Sequence, residues 1–170
     1  MSVTAAITLM LTASLRSTPD LGLAQGTCRQ PEPGPAILVS VEGLKDRRGR
    51  LRLELYPAND EDFLADDNIL IGQGKTFART DQPLAASGPM SLCIRVPGPG
   101  RYTLSLLHDR DANHKFSMFT DGIGFAGNPK LGWSKPRAAD ATVVAGPGLT
   151  HVAILLNYRR GFSMRPLERP

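Results

Sequence analysis

The stretch from Met90 to His108, MSLCIRVPGPGRYTLSLLH, decides the fold. In its first half Met90, Leu92, Ile94 and Val96 fall on one side of an extended chain, and Ser91, Cys93 and Arg95 on the other. In its second half Tyr102, Leu104 and Leu106 share a side. A period of two is the signature of a strand with one buried face. Pro97-Gly98-Pro99-Gly100 between the halves is a turn, because proline presets φ and glycine tolerates the values that other residues avoid.

The same alternation continues in both directions. Upstream, AILVSVE (Ala36 to Glu42) aligns Ile37, Val39 and Val41, and RLRLELY (Arg50 to Tyr56) aligns Leu51, Leu53 and Leu55. Arg50, Arg52 and Glu54 take the opposite side of that strand, which is expected to be solvated. KDRRG (Lys45 to Gly49) has the composition of a hairpin turn joining the two. Downstream, HVAILLNY (His151 to Tyr158) aligns Val152, Ile154, Leu156 and Tyr158, and shorter strands are expected at Lys75 to Thr80 and Ala141 to Ala145. About seven strands with alternating faces predict an all-β domain, a two-layer antiparallel sandwich. NDEDFLADDN (Asn59 to Asn68) breaks the pattern and predicts one short helix or helical turn connecting strands, its acids serving as cap and solvated face rather than as a metal site.

A chain of 170 residues with 41% hydrophobic and 21% charged residues is one domain with material for a core, and excludes a disordered tail or an integral membrane protein. A net charge of +4 is too diluted to suggest nucleic-acid binding. Val3 to Leu15 is uncharged and mostly apolar, the length of a signal-peptide core and too short to span a bilayer. With Gly22 and Ala24 as small residues at a cleavage site, residues 1–24 read as a signal peptide, against the alternative of a buried N-terminal helix. The expected organisation is then signal peptide 1–24, sandwich 25–158 and a basic, partly disordered tail 159–170, in a periplasmic or secreted monomer. Two cysteines, Cys28 and Cys93, suggest one disulfide in such a compartment.

From Asp109 to about Ala139 no long strand or helix is legible, and loops of this length tend to be functional. A Pro-Gly-x-Tyr turn enters a strand ending in His108-Asp109. An Asp/Asn-rich loop follows, then Gly124-Phe125 with Asn128-Pro129, and the last strand ends in Asn157-Tyr158. Together with Gly100, Tyr102, Asn113, Asp121, Gly122 and Pro136, this pattern resembles the bacterial family known as domain of unknown function 2141 over about Ile37 to Tyr158. The resemblance implies an exported immunoglobulin-like or transthyretin-like sandwich and implies no activity. Ala126-Gly127 stands where Ser-Asn is more usual in that family.

Asp109, Asp111, Asn113 and Ser117 occupy the oxygen-ligand offsets of a calcium loop, with Lys115 at the backbone-carbonyl position. His114 where glycine is needed and Thr120 where a bidentate Glu is needed exclude an EF-hand. What remains open is a weak calcium cage of Asp109, Asp111, Asn113 and Asp121, or an ion-free loop of Asx turns. His108 continues an inward face and is expected to be a hydrogen-bonded residue at the core edge. Phe125 and Trp133 either stack on sugar rings or plug the end of the core, and His108, Phe125, Asn128 and Trp133 are the binding candidates of the loop. Gly132 to Pro136 lacks the final glycine of a nucleophile elbow, and Gly72 to Thr76 lacks the first glycine of a phosphate loop, since Ile69 stands there.

These observations predict a non-enzymatic binding or envelope-structural module for an unidentified envelope or extracellular ligand. The alternatives are a periplasmic copper- or zinc-handling protein using His108, His114 and Met118, and a small hydrolase built on His108 or His151.

Overall fold

The computed structural model describes residues 19–167. The expected signal-peptide core at Val3 to Leu15 lies outside the described residues. Among the described residues no helix is long and apolar enough to cross a membrane.

The chain is mostly β, in two sheets. The smaller sheet has the order β4 (Met90–Arg95), β1 (Ala36–Glu42), β8 (Leu149–Leu155). The larger runs β10 (Ser163–Pro166), β9 (Asn157–Arg160), β6 (Gly122–Phe125), β5 (Gly100–Asp109), β2 (Arg50–Pro57), β3 (Ala78–Pro83), and β7 (Thr142–Ala145) pairs with the start of β5. The alternating residues meet as the sequence predicts. Ile37 and Val39 lie opposite Ile94 and Leu92 in one sheet, and Leu51, Leu53 and Leu55 lie opposite His108, Leu106 and Leu104 in the other. These apolar side chains, with Ile154, form one shared core from which water is excluded. A second cluster seats Phe63 between Tyr56 and Phe125, each ring edge-on at 5.9 and 5.7 Å.

Several expectations are corrected. The sheets are not wholly antiparallel, because β1 and β8 run parallel. There are ten strands among the described residues rather than about seven. Lys45 to Gly49 is not a hairpin turn. It carries the chain from β1 in the small sheet to β2 in the large one, so the two apolar faces meet across the core instead of edge to edge. Gly49 closes this crossover at φ 77°, and a Cβ there would lie 1.9 Å from the Asp109 carbonyl oxygen. Residues 151–158 are not one strand either. β8 ends at Leu155, and β9 begins at Asn157 in the other sheet.

Residues 59–64 form turns in which Asn59 Oδ1 accepts the Asp62 N–H, and Leu64 at φ 62° ends them. The helix lies further on, α2 (Asp67–Gly72), capped by Asp66 accepting from the Asn68 N–H. Its acids are not all solvated: Asp62 pairs with Lys75 at 2.6 Å and Asp67 with Arg79 at 3.0 Å. The tail contains β10, hairpinned onto β9 through Gly161 and Phe162, with Gly161 at φ 66°.

The outer side of β2 is not solvated. Arg52 is 4% exposed, lies opposite Asp81 of β3, and pairs with it at 3.0 Å. The segment after Asp109 folds over it, so that Arg52 also donates to the His114 carbonyl. Next along, Glu54 lies opposite Arg79 and pairs with it at 2.7 Å. At the N-terminal end, α1 (Leu23–Gly26) packs on β3, and Arg79 donates to the carbonyls of Pro19 and Leu21. Cys28 and Cys93 form a disulfide with a Cα–Cα distance of 5.8 Å, closing a loop of sequence separation 65.

Candidate functional site

The strand β5 delivers Asp109 to the edge of the core, and the chain then coils around two carboxylates. Asp109 Oδ1 accepts the Asn113 N–H at 3.2 Å and Oδ2 the His114 N–H at 2.8 Å. Asp121 Oδ1 accepts the Arg110 N–H at 3.0 Å and Oδ2 the Ser117 N–H at 2.8 Å. Each carboxylate is 1% exposed. Ala112 and His114 take positive φ to permit the coil. The turn-rich reading of this loop is therefore realised in its hydrogen bonds.

The same coil gathers charge. Asp109, Asp111 and Asp121 each bring a carboxylate oxygen within 4.8 Å of the others. Burial pushes the Asp109 carboxyl up from its ordinary value. The His114 N–H opposes this, while Asp111 and Asp121 push it further up. Arg110 directs its guanidinium to Asp46 and the Thr120 carbonyl. Asn113 is only partly a member: its side-chain oxygen accepts the Lys115 N–H, and its amide donates to Asp111. Hard oxygens with lone pairs to spare are the donor set that a calcium ion takes.

The remaining candidates separate. His108 is fully buried, with Nδ1 2.7 Å from the Tyr158 hydroxyl and Nε2 2.8 Å from the Arg48 carbonyl. It is the core-edge histidine that the strand phase predicts, and burial lowers its pKa, with the Arg48 carbonyl and Asp46 acting against that shift. His114 Nδ1 meets the Arg52 guanidinium, which can only donate, so Nδ1 accepts and the ring proton sits on Nε2. Met118 is exposed. His108 and His114 thus have separate partners, and Met118 lies exposed apart from both sets. His151 is exposed on β8.

Phe125 plugs the core. Asn128, at φ 50°, is a clamp: its amide donates to the Ala153 carbonyl and its oxygen accepts the Leu155 N–H, pairing with the backbone of β8. The loop is not wholly irregular. Gly122 and Gly124 lie in β6, where Cβ atoms would come 2.3 Å from the Tyr158 ring and 2.7 Å from the Leu155 carbonyl oxygen. The segment closes with a 3-10 turn at Ala138–Ala141.

Trp133 does the opposite of Phe125. It is 86% exposed, as are Phe162 at 83% and Phe119 at 74%. Trp133 and Phe162 border one cleft of about 120 Å³ with Met118, Arg159 and Met164. The Arg159 guanidinium lies 4.3 Å from the centre of the Phe119 ring, which joins Phe119 to the group. Two segments distant in sequence thus present their aromatics together. The expectations above omitted Phe119 and Phe162. The signal for Phe162 was Gly161-Phe162, an aromatic beside a glycine where no strand phase assigns it to the core, whereas Phe119, between Met118 and Thr120, carries no such mark.

A larger cavity of about 460 Å³ lies elsewhere, between residues 25–35, residues 74–78 and the end of β4. Lys75 is paired there with Asp62, and Arg95 donates one Nη to the Ala24 carbonyl while its buried Nε has no partner among the described residues. Glu32 lies close enough to Arg29 and Arg95 to feel both charges.

Residues 39–153 match the family described as "Uncharacterized protein conserved in bacteria (DUF2141)". No curated protein and no solved structure matches the chain.

Proposed function

The chain belongs to this bacterial family, DUF2141, and we propose that it is a non-enzymatic binding module of the cell envelope whose recognition surface is the aromatic face of Phe119, Trp133 and Phe162. One observation carries the reading. The two most exposed large apolar side chains, Trp133 and Phe162, come from separate segments and border one cleft, and Phe119 adjoins it through Arg159. Contiguous exposed apolar surface is costly in a soluble domain unless something covers it. An envelope location rests on the uncharged Val3 to Leu15 segment and on the disulfide. In this reading the two sheets are the layers of an immunoglobulin-like or transthyretin-like sandwich. The fully engaged ring of His108 supports a role without catalysis.

Trp133 is the sole tryptophan, so its fluorescence reports on this face directly. Purified protein titrated with separated lipid, polysaccharide and protein fractions of a bacterial envelope should show a saturable shift of Trp133 emission with one of them. The shift should be lost in Phe119→Ala/Phe162→Ala. No shift with any fraction overturns the reading.

A second reading has its own observation, the three carboxylates within 4.8 Å. It takes the Asp109, Asp111 and Asp121 coil as a weak calcium site that stiffens the base of the loop. A thermal melt in millimolar calcium against chelator, repeated on Asp111→Ala, tests it.

A further inference from the structure

Resting on the proposed recognition face, we infer that its partner is an anionic lipid surface, on which Phe119, Trp133 and Phe162 insert while the surrounding cations meet the headgroups. Positive charge predominates in the segments that carry the face. Residues 114–120, 130–136 and 158–167 carry Lys115, Lys130, Lys135, Arg159, Arg160 and Arg165 between the flanking acids Asp121 and Glu168, with Lys135 turned to the Asp60 and Phe63 carbonyls. The rest of the chain mixes both signs: of 20 Lys and Arg and 16 Asp and Glu in all, it holds 14 and 16, a net of −2. Geometry brings part of this charge to the aromatics. Arg159 borders the aromatic cleft itself. Lys130 and Arg165 border a neighbouring cleft of about 350 Å³ that shares Ser163 and Met164 with it.

The cleft between the aromatics is itself too small to enclose a ligand. A cleft of about 120 Å³ is well under the roughly 300–1,000 Å³ of sites that enclose a small molecule. The aromatics instead project, Phe162 from the two-residue tip between β9 and β10 and Trp133 beside Gly132. Two of the three projecting rings are phenylalanine, and Met118 adds a thioether. None of these offers the polar handle that a sugar hydroxyl would use, whereas all suit the boundary between headgroups and acyl chains. Basic residues beside inserted aromatics add attraction to anionic headgroups that falls off within a Debye length and is screened by salt.

The test uses the full chain with Trp133 as probe. Vesicles of phosphatidylcholine alone are compared with vesicles containing phosphatidylglycerol, by emission and by co-sedimentation. The expected result is a blue shift and sedimentation with the anionic vesicles, weakened by added salt. Lys130→Gln/Arg159→Gln/Arg165→Gln should weaken the partition about 100-fold, taking about fivefold per cation. Phe119→Ala/Phe162→Ser should abolish the blue shift while the melting temperature stays unchanged, which separates lost docking from lost folding. An unmoved spectrum on anionic vesicles overturns the lipid partner. Binding that is equal on the two vesicle types and indifferent to salt also overturns it. If a polysaccharide or protein fraction moves Trp133 where vesicles do not, the recognition face stands and the lipid falls. If nothing moves it, both fall.

Discussion

Between Asp109 and Trp133 the ordinary distribution of side chains is reversed. The carboxylates of Asp109 and Asp121 are 1% exposed, while Phe119 and Trp133 are 74% and 86% exposed. At the base of the loop, polar atoms replace a core. Four backbone N–H groups converge on two carboxylates, and the chain coils because those N–H groups need acceptors. At the tip the apolar rings lie outside the core, and Phe119 meets the Arg159 guanidinium. The same loop thus carries a base that makes structure and a tip whose aromatics are exposed. The base sets the position of the tip, and its cost is the burial of the Asp109 carboxyl, which raises its pKa with Asp111 and Asp121 adding to the shift.

The contrast is broken most easily at the base. Asp121→Ala leaves the Arg110 and Ser117 N–H groups without acceptors at a buried site. At about 1–3 kcal/mol for each, a loss of about 2–6 kcal/mol is expected in denaturant unfolding. Asp121→Asn retains an acceptor and should lose less. A loss within the ordinary surface range of about 0.5 kcal/mol would show that the carboxylates do not organise the loop.

Calcium sharpens the same point with a smaller effect. If it binds the native coil, a tenfold excess over Kd stabilises by about 1.4 kcal/mol, visible as a rise of a few degrees in melting temperature. Asp111→Asn should remove that response. Because Asp111 pushes Asp109 up, the same variant should let Asp109 titrate lower, measurable by NMR of the carboxyl carbon.

Acidity then separates the loop base from the core edge. Burial holds His108 below its ordinary value of 6.5. The unfolded chain therefore takes up that proton first, and the His108 contribution is complete above about 6.5 and lost as pH falls through the folded value. Asp109 has the opposite sign. Its folded value is raised, so its contribution is present below the ordinary value of 3.8 and is lost as pH rises through the folded value. Melts across this range should fall on the acid side of 6.5 in the parent, and His108→Gln should flatten that limb. An unchanged limb would place the titration elsewhere.

The smallest stability effect belongs to the tip. Phe119→Ala/Trp133→Ala/Phe162→Ala should leave unfolding within about 0.5 kcal/mol per residue, since these side chains are exposed. A loss of several kcal/mol would mean that the rings pack in the core.

Strands with one clean apolar face, β1, β2, β4 and β5, are legible in the sequence because every second residue reports burial. β6 is not, because glycines stand at 122 and 124 where Tyr158 and Leu155 leave no room for a side chain. A crossover and a hairpin share turn residues, so Lys45 to Gly49 carries no mark of which partner its strands choose. Arg52 looks solvated in the strand phase, and only the coil of residues 110–116 buries it. Asp109, Asp111 and Asp121 were legible as a group because they are close in sequence. Phe119 and Phe162 were not, because their meeting depends on β10 joining the sheet beside β9. Trp133 and Phe125 look alike in the sequence, as aromatics in a polar loop, and the fold sends one out and the other in.

Collisional quenching of Trp133 by acrylamide tests the reversed loop most directly, since no other tryptophan contributes. The account predicts red emission and a quenching constant close to that of the unfolded chain, with the Asp109 and Asp121 coil intact by amide exchange of His114 and Ser117. Blue emission and shielding in the free monomer would contradict it, because Trp133 would then be part of the core and not of a face awaiting a partner.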